Sequence, residues 1–555
     1  MTTLTARRLI GAVVRVVPRL RHWYRGCMLR FEFFHTAQNE AAPPGQAGVV
    51  YTDLAYLVNQ NGQVVPSRVG LRTDNGICRL ECEKVGSDPA SLAIGVDAKS
   101  AQGQNAVAPA PGGMIVEQTT LLPEREEPYS FWLELARRRI MLFLNKLEEW
   151  GLVDDPEVSE PMAQLDKARE LFTDALVIGR GKPTLTSDTL GKAALAAASH
   201  ACELLTNLYS RRGTDPESAP GGRMLDSMVR NRSRLTIGCT VSPGRFDELQ
   251  TKMLERCADF VHVPMTWSKL EPREGKYSFA QTDQWIEWAV LKAKRPVVTG
   301  PVLDLRAGVT PDWLSIWEND FETLREMVHD HAKQIVTRYR RTTSRWIATS
   351  SIPINEQFHL TYDKMVELTR LVVMVIRKLH PRCEITVDVA RPWGQYAASN
   401  RDSISPMVYA HLLAQSGVKF DSLGVRIQMN RQRGYRDSAY LAEMLDTCAE
   451  LDRPVHVTCL GAPGQSSATE PNAWSNAEQA SWIERTLRLL ASHHTVASVC
   501  WQEMMDTEPA DMMAYGGLLD MRGQPKPALE RLLEFRSQLI AAWRDKDKKN
   551  GEDAA

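Results

Sequence analysis

Leu235-Thr-Ile-Gly-Cys239 is a short β-rich run, and it is the first of a series. Asp259–Val263, Pro296–Leu303, Arg345–Ala348, Glu384–Ala390, Ser422–Ile427, Pro454–Cys459 and Ser498–Trp501 follow with the same character. Amphipathic helical stretches separate them, and strands alternating with helices are the mark of parallel βα units. Eight such runs in about 310 residues fit the strand number and size of a (β/α)8 TIM barrel with long loops. A doubly wound sheet is also compatible with eight strands, but no glycine-rich dinucleotide fingerprint follows the first run. The α/β expectation is therefore a barrel over 233–545. Any active site should lie where the strands end and the following loops begin.

The loop after the second run reads Trp267-Ser-Lys-Leu-Glu-Pro-Arg-Glu-Gly-Lys-Tyr-Ser-Phe279, with Asp283 beyond it. Pro311-Asp312-Trp313 follows the third run. The last run continues from Trp501 to Asp506 and through Gly517-Leu-Leu-Asp520 and Gly523-Gln-Pro-Lys-Pro-Ala528. In this order the segments resemble glycoside hydrolase family 10, the endo-1,4-β-xylanases, over about 235–540. The resemblance implies double displacement on a β-linked saccharide. One carboxylic acid protonates the leaving oxygen while a carboxylate about 5–5.5 Å away attacks the anomeric carbon. In the family these are glutamates ending strands four and seven.

The chain departs from that pattern at the positions that do the chemistry. The seventh-strand Thr-Glu-Leu-Asp reads Thr458-Cys459-Leu460-Gly461, so Cys459 holds the nucleophile position and Gly461 that of the supporting acid. A thiolate gives an oxocarbenium-like transition state little of a carboxylate's stabilisation, and the other reading of Cys459 is a buried strand residue. Aligned without gaps from Arg338-Tyr339-Arg340 through Trp346, the fourth-strand Asn-Glu pair falls on Ser350-Ser351. An Asn-Glu pair does occur at Asn355-Glu356. There Asn355 would bond a sugar hydroxyl and Glu356 would act as acid/base; the alternative is a surface dipeptide in a loop. The second-strand Glu-Asn-x-x-Lys-Trp reads His262-Val-Pro-Met-Thr-Trp267, no histidine lies between His262 and His329, and the sixth-strand Gln-x-His reads Arg426-Ile427-Gln428.

Other polar and aromatic residues stand near the expected strand ends: Asp304, Asp388, Arg391, Trp393, Arg426, Trp501, Glu503 and Asp506. Glu503 follows Trp501 with one residue between, so on an extended strand both point the same way. If Trp501 faces the site, Glu503 does too, as the carboxylate partner of Glu356. Trp267, Trp313, Trp393 and Trp501 are candidate stacking surfaces for pyranose rings, or core tryptophans between helix and barrel. Arg391 and Arg426 suit either an anionic substrate or structural ion pairs with Asp388 and Asp421. The loop Gly461–Ser475 is a lid or variable surface.

Ahead of the barrel, 28–125 reads as a β-rich domain, possible as a sandwich. Asn61-Gly62 and Asn75-Gly76 are hairpin signals, and Ala101–Gly113 reads as a long loop. Residues 126–210 read as a helical region and 211–232 as the linker into the barrel. Accessory sugar-binding β domains are common in the xylanases the barrel resembles. A charged tail, 546–555, ends the chain.

The chain has 555 residues, with 67 Lys+Arg against 68 Asp+Glu, and a net charge of -1. That balance argues against nucleic acid as the main partner, and no stretch approaches the ~20 apolar residues needed to span a bilayer. Residues 1–27 carry six arginines and no acid. They suit a membrane-surface segment, or sequence upstream of a true start at Met28, the reading we favour. Ten scattered cysteines fit a reducing compartment, hence cytoplasm. Cys78 and Cys82 fall on one face of a strand, where buried thiols serve a core better than a metal, so neither metal nor cofactor is expected. Two readings follow: a divergent glycoside hydrolase with a rebuilt site, or a barrel that has lost hydrolysis and binds a saccharide or a protein.

Overall fold

The computed structural model describes residues 27–34, 46–47, 50–98, 101, 113–180, 182–214, 234–430, 434–465, 474–507, 513 and 515–552. Outside the described residues lie the basic segment ahead of Cys27, nearly all of the expected 101–113 loop, the linker from residue 215, the middle of the 461–475 loop and the last residues of the tail.

The amino-terminal β region forms two sheets. β1 (Cys27–Phe34) lies against β6 (Ile77–Lys84), with β5 (Ser67–Asp74) and β9 (Tyr129–Ser130) outside, in the order β5-β6-β1-β9. Alternate residues Leu29, Phe31 and Phe33 on β1 and Cys78, Leu80 and Cys82 on β6 are buried, the period of two that a half-buried strand requires. Asn75 and Gly76 both take positive φ in the β5–β6 turn, as the hairpin signal predicts. The second sheet joins β2 (Gln46–Ala47), β3 (Val50–Asn59), β7 (Ala90–Asp97) and β8 (Met114–Gln118), with β4 (Val64–Val65) paired to β3. Three helices follow: α1 (Phe131–Glu149), α2 (Ser159–Gly179) and α3 (Leu185–Thr214).

The barrel strands are β10 (Thr236–Thr240), β11 (Phe260–Val263), β12 (Val297–Thr299), β13 (Leu303–Asp304), β14 (Thr343–Ser350), β15 (Glu384–Val389), β16 (Ser422–Gln428), β17 (Val455–Gly461) and β18 (Val496–Trp501). Every ladder is parallel, β10 pairs with both β11 and β18, and β12 pairs with β14, so the sheet closes. The expected third strand emerges as two pieces, β12 and β13, because Gly300-Pro301 interrupts it, and proline has no N–H for the ladder. Around the strands run α4 (Glu248–Cys257), α5 (Ala280–Glu287), α6 (Phe321–Tyr339), α7 (Tyr362–Leu379), α8 (Pro406–Gln415), α9 (Ser438–Ala449), α10 (Asn476–Ser492) and α11 (Pro527–Glu552).

The interior is filled in layers. Near the strand starts, Arg345 on β14 crosses to His456 on β17 and Ser498 on β18. His456 Nε2 donates to Glu384 at 2.7 Å. Above them Phe260, Val298, Ile347 and Cys500 form a small apolar layer of their own.

The β3–β7–β8 sheet sits on the loops at the carboxyl ends of β14, β15 and β16. Leu54, Tyr56, Ala93 and Val116 pack with Ile354, Ala390, Tyr396 and Ala397. The Val116 N–H donates to the Tyr435 carbonyl at 2.9 Å. Below this contact, Arg139 of α1 is wholly buried and holds two carboxylates, Glu117 of β8 and Asp437 at the start of α9, at 2.7 and 2.6 Å. Its guanidinium also lies 4.1 Å from the Tyr440 ring centroid. A buried cation is tolerated when it is paired and fully hydrogen-bonded. Here it ties the β region, the helices and the barrel together.

Candidate functional site

The mouth of the barrel is built around Asp388, near the end of β15. It accepts hydrogen bonds from Ser350 Oγ of β14 at 2.5 Å, from Arg426 Nε of β16 at 2.6 Å, and from Thr458 Oγ1 of β17. Gly424 makes this possible. A Cβ there would stand 2.7 Å from Asp388 Oδ1 and 2.9 Å from the Thr458 methyl. Beside this cluster Asp304 of β13, opposite Ser350 in the ladder, is held by Arg306 at 2.6 Å. Burial opposes the charge on Arg426, but the carboxylates of Asp388 and then Asp304 more than offset it and raise its pKa.

The rest of the rim is neutral. Gln428 Nε2 donates to Gln502 Oε1 at 2.5 Å, and Cys459 Sγ lies 3.6 Å from the same oxygen. Gly461 leaves the space that Gln502 occupies. His262 donates from Nε2 to the Gly300 carbonyl at 2.8 Å and lies 2.9 Å through Nδ1 from Thr240 Oγ1. Burial above all, with Arg426 nearby, holds its pKa down at about 4, so the ring is neutral.

A displacement site needs one carboxyl free to give a proton and another free to attack. Asp388 has three donors on its two oxygens, and Asp304 is clasped by its own neighbour's guanidinium. By the ungapped reading the family's proton donor is expected at Ser351, just past the end of β14, and its nucleophile at Cys459; Ser351 is buried and Cys459 is 9% exposed.

The candidate residues fall in different places. Asn355 takes positive φ (53°) and its buried carboxamide binds the Leu360 N–H and carbonyl and the Asp402 carbonyl, which shapes the loop. Glu356 is on the surface and accepts from Arg391 at 3.1 Å. Cys500 belongs to the interior layer and Gln502 to the rim, so the alternation of β18 turns Trp501 and Glu503 the other way. Trp501 is 1% exposed, donates to the Gly516 carbonyl at 3.1 Å and packs 6.4 Å from Trp482 of α10. Glu503 lies near Gly516 and accepts from Thr507. Glu356 and Glu503 thus each have a partner of their own, Arg391 and Thr507.

Trp267 is also core. It donates to Glu271 at 2.8 Å and stacks on His331 at 4.0 Å. Trp313 crosses it edge-on and donates to the Glu271 carbonyl. Trp393 is half-buried beneath the Arg436 guanidinium, 4.2 Å from its ring centroid. Of the arginines, Arg426 pairs with Asp388 as one reading allowed. Asp421 pairs with Arg377 rather than Arg391. Asp506 is buried against Lys526 at 3.0 Å. The mouth residues not singled out from sequence are Thr458, His262 and Gln502. Thr458 and His262 could have been found from the motif positions they occupy, and Gln502 from its place two residues after Cys500 on an extended run.

Residues 225–364 match the family model for glycosyl hydrolase family 10, a span that runs from ahead of β10 into α7. Over that span, the first part of the barrel, the chain is similar to family 10. Similar solved structures include a GH10 xylanase from Thermobacillus composti, 17% identical over 56% of this chain and 99% of that one, with TM-score 0.43. Xylanase 10B from Thermotoga maritima is 16% identical over 56% and 96%, with TM-score 0.45. The intracellular xylanase TsXylA from Thermoanaerobacterium saccharolyticum is 14% identical over 54% and 95%, with TM-score 0.44.

Proposed function

We propose that this chain is a saccharide-binding protein on a xylanase-like barrel that does not hydrolyse its ligand. The observation that carries the reading is the state of the mouth. The carboxylate best placed there, Asp388, is held by Ser350, Arg426 and Thr458, and by the ungapped reading of the motifs the displacement pair falls on Ser351 and Cys459. A fold does not fix its chemistry, so the retained framework supports a carbohydrate-related role without requiring turnover. The competing reading, a divergent hydrolase using Glu356 with Glu503, loses support because Glu356 pairs with Arg391 while Glu503 lies beside Gly516 and accepts from Thr507. A cytoplasmic location is part of the proposal, supported by ten free thiols of which nine are buried. Among the described residues no helix is long and apolar enough to cross a membrane.

The test is mass-spectrometric detection of cleavage in β-1,4-linked xylo- and gluco-oligosaccharides, run beside calorimetric titration with the same sugars. Binding without cleavage is expected. Cleavage that disappears in Glu356→Gln or Glu503→Gln would overturn the proposal, and so would the absence of any saccharide binding.

A further inference from the structure

A cleft of about 750 Å³ lies between the β3–β7–β8 sheet and the barrel helices α8 and α9, a volume suited to a small-molecule ligand. Its two walls differ in chemistry. The barrel wall carries an apolar strip of Met407, Val408 and Leu412 of α8, Met444 of α9 and the half-buried Trp393, with His411 and Glu450 beside it. The sheet wall and rim carry carboxamides; those of Asn59 and Gln63 bond each other and that of Gln118 donates to Ser91, which leaves Gln60 and Asn61 of the β3–β4 hairpin and Gln415 of α8 to meet a ligand.

Three of the charged residues in the lining are engaged with neighbours, while Glu450 stands at the exposed edge. Arg138 pairs with Glu443, and Arg436 donates to the Tyr56 hydroxyl at 2.7 Å while lying over Trp393. A charged ligand would have to break these contacts, so the cleft suits an uncharged one. A carboxamide offers a donor and an acceptor side by side, which matches vicinal hydroxyls. An apolar strip with an indole matches the C–H face of a pyranose. An uncharged sugar chain has both surfaces at once.

We propose that this cleft between the sheet and α8–α9, and not the barrel mouth, holds an uncharged oligosaccharide. The inference rests on the saccharide-binding reading and moves the site away from the strand ends. It also gives the amino-terminal sheet a functional part, since neither wall is a site without the other.

The experiment uses the full chain and a panel of uncharged oligosaccharides, beginning with xylohexaose and cellohexaose, titrated by calorimetry with hydrogen-exchange mapping. Three variants accompany the wild type. Met444→Trp fills the cleft. The Gln60→Ala/Asn61→Ala pair alters only an exposed hairpin tip, so folding is kept. Cys459→Met narrows the mouth. We expect at least a tenfold loss of affinity in Met444→Trp, a several-fold loss in the hairpin pair, no change in Cys459→Met, and protection over 56–63 and 393–415. Affinity lost in Cys459→Met and kept in the cleft variants would overturn the inference and leave the saccharide reading standing. No binding of any sugar by the wild type would overturn both. Saturable uptake of the neutral apolar dye N-phenyl-1-naphthylamine, abolished by Met444→Trp and not displaced by sugar, would assign the cleft to an apolar ligand instead.

Discussion

Arg426 Nε donates to Asp388 Oδ2 at 2.6 Å inside the barrel mouth, and Arg426 lies opposite Cys459 in the β16–β17 ladder. Both charges are almost wholly out of water. Removing one member leaves the other charged and unpaired, which costs about 3–5 kcal/mol. Arg426→Met should therefore destabilise the chain by that order. Arg426→Met with Asp388→Asn together should recover much of the loss. Urea unfolding of the three proteins checks this, and equal midpoints for the wild type and Arg426→Met would show that the pair is not a structural one.

Gly424 gives a second handle on the same cluster. Its missing side chain leaves room for Asp388 and Thr458, and a methyl there would press on both at under 3 Å. Overpacking of this kind costs about 1–3 kcal/mol. Gly424→Ala should lower the melting temperature without changing the helical circular dichroism. An unchanged melting temperature would mean that Asp388 can turn away.

Glu356 is predicted to behave as a surface residue. Its side chain is 43% exposed and meets Arg391 at 3.1 Å, and exposed ion pairs contribute about 0–1 kcal/mol. Glu356→Gln should change stability by no more than that and leave saccharide affinity within twofold, by calorimetry. A larger loss of affinity would return Glu356 to a binding site.

The barrel was legible because buried parallel strands read as short apolar runs, and helices between them leave a different period. The Trp267–Phe279 stretch was legible for a reason now visible in its contacts. Glu271 accepts from Trp267 and from the Gly275 N–H at 2.7 Å, and Trp267 stacks on His331. The contacts of the motif fix the shape of the loop, which is why it reads so clearly in the sequence. The facing of Trp501 was not legible. Alternation along β18 says only that Trp501 and Glu503 share a side, and the neighbours that decide which side, Gly516 and Trp482, come from other segments. Arg139 was hidden for the same reason, since one of its partners is 298 residues away in the chain.

Arg139 joins three parts of the molecule, so its loss should be felt as a loss of cooperativity as well as of stability. Arg139→Met leaves Glu117 and Asp437 buried without their cation, at a cost of about 3–5 kcal/mol. The variant should unfold in two steps followed by circular dichroism and tryptophan fluorescence, where the wild type shows one. Coincident curves for the variant would mean that apolar packing alone couples the sheet to the barrel.

Acid should unfold the protein partly through His262. Burial above all, with Arg426 nearby, holds its folded pKa at about 4 against an ordinary 6.5. Between those values the unfolded chain binds a proton that the folded chain does not, so stability rises with pH and is lost as pH falls from about 6.5 towards 4. At pH 5 the difference amounts to about 2 kcal/mol for this one residue. His262→Gln removes the titration while keeping a donor for the Gly300 carbonyl and an acceptor for Thr240. The variant should be less stable than the wild type at pH 7.5, and the gap should shrink by about 2 kcal/mol at pH 5. Burial also holds His331 and His456 down, at about 3 and about 4, so the variant should keep part of its acid sensitivity. Denaturation curves at the two pH values that remain parallel for both proteins would show that His262 takes up its proton in the folded state, and that the mouth admits charge and water after all.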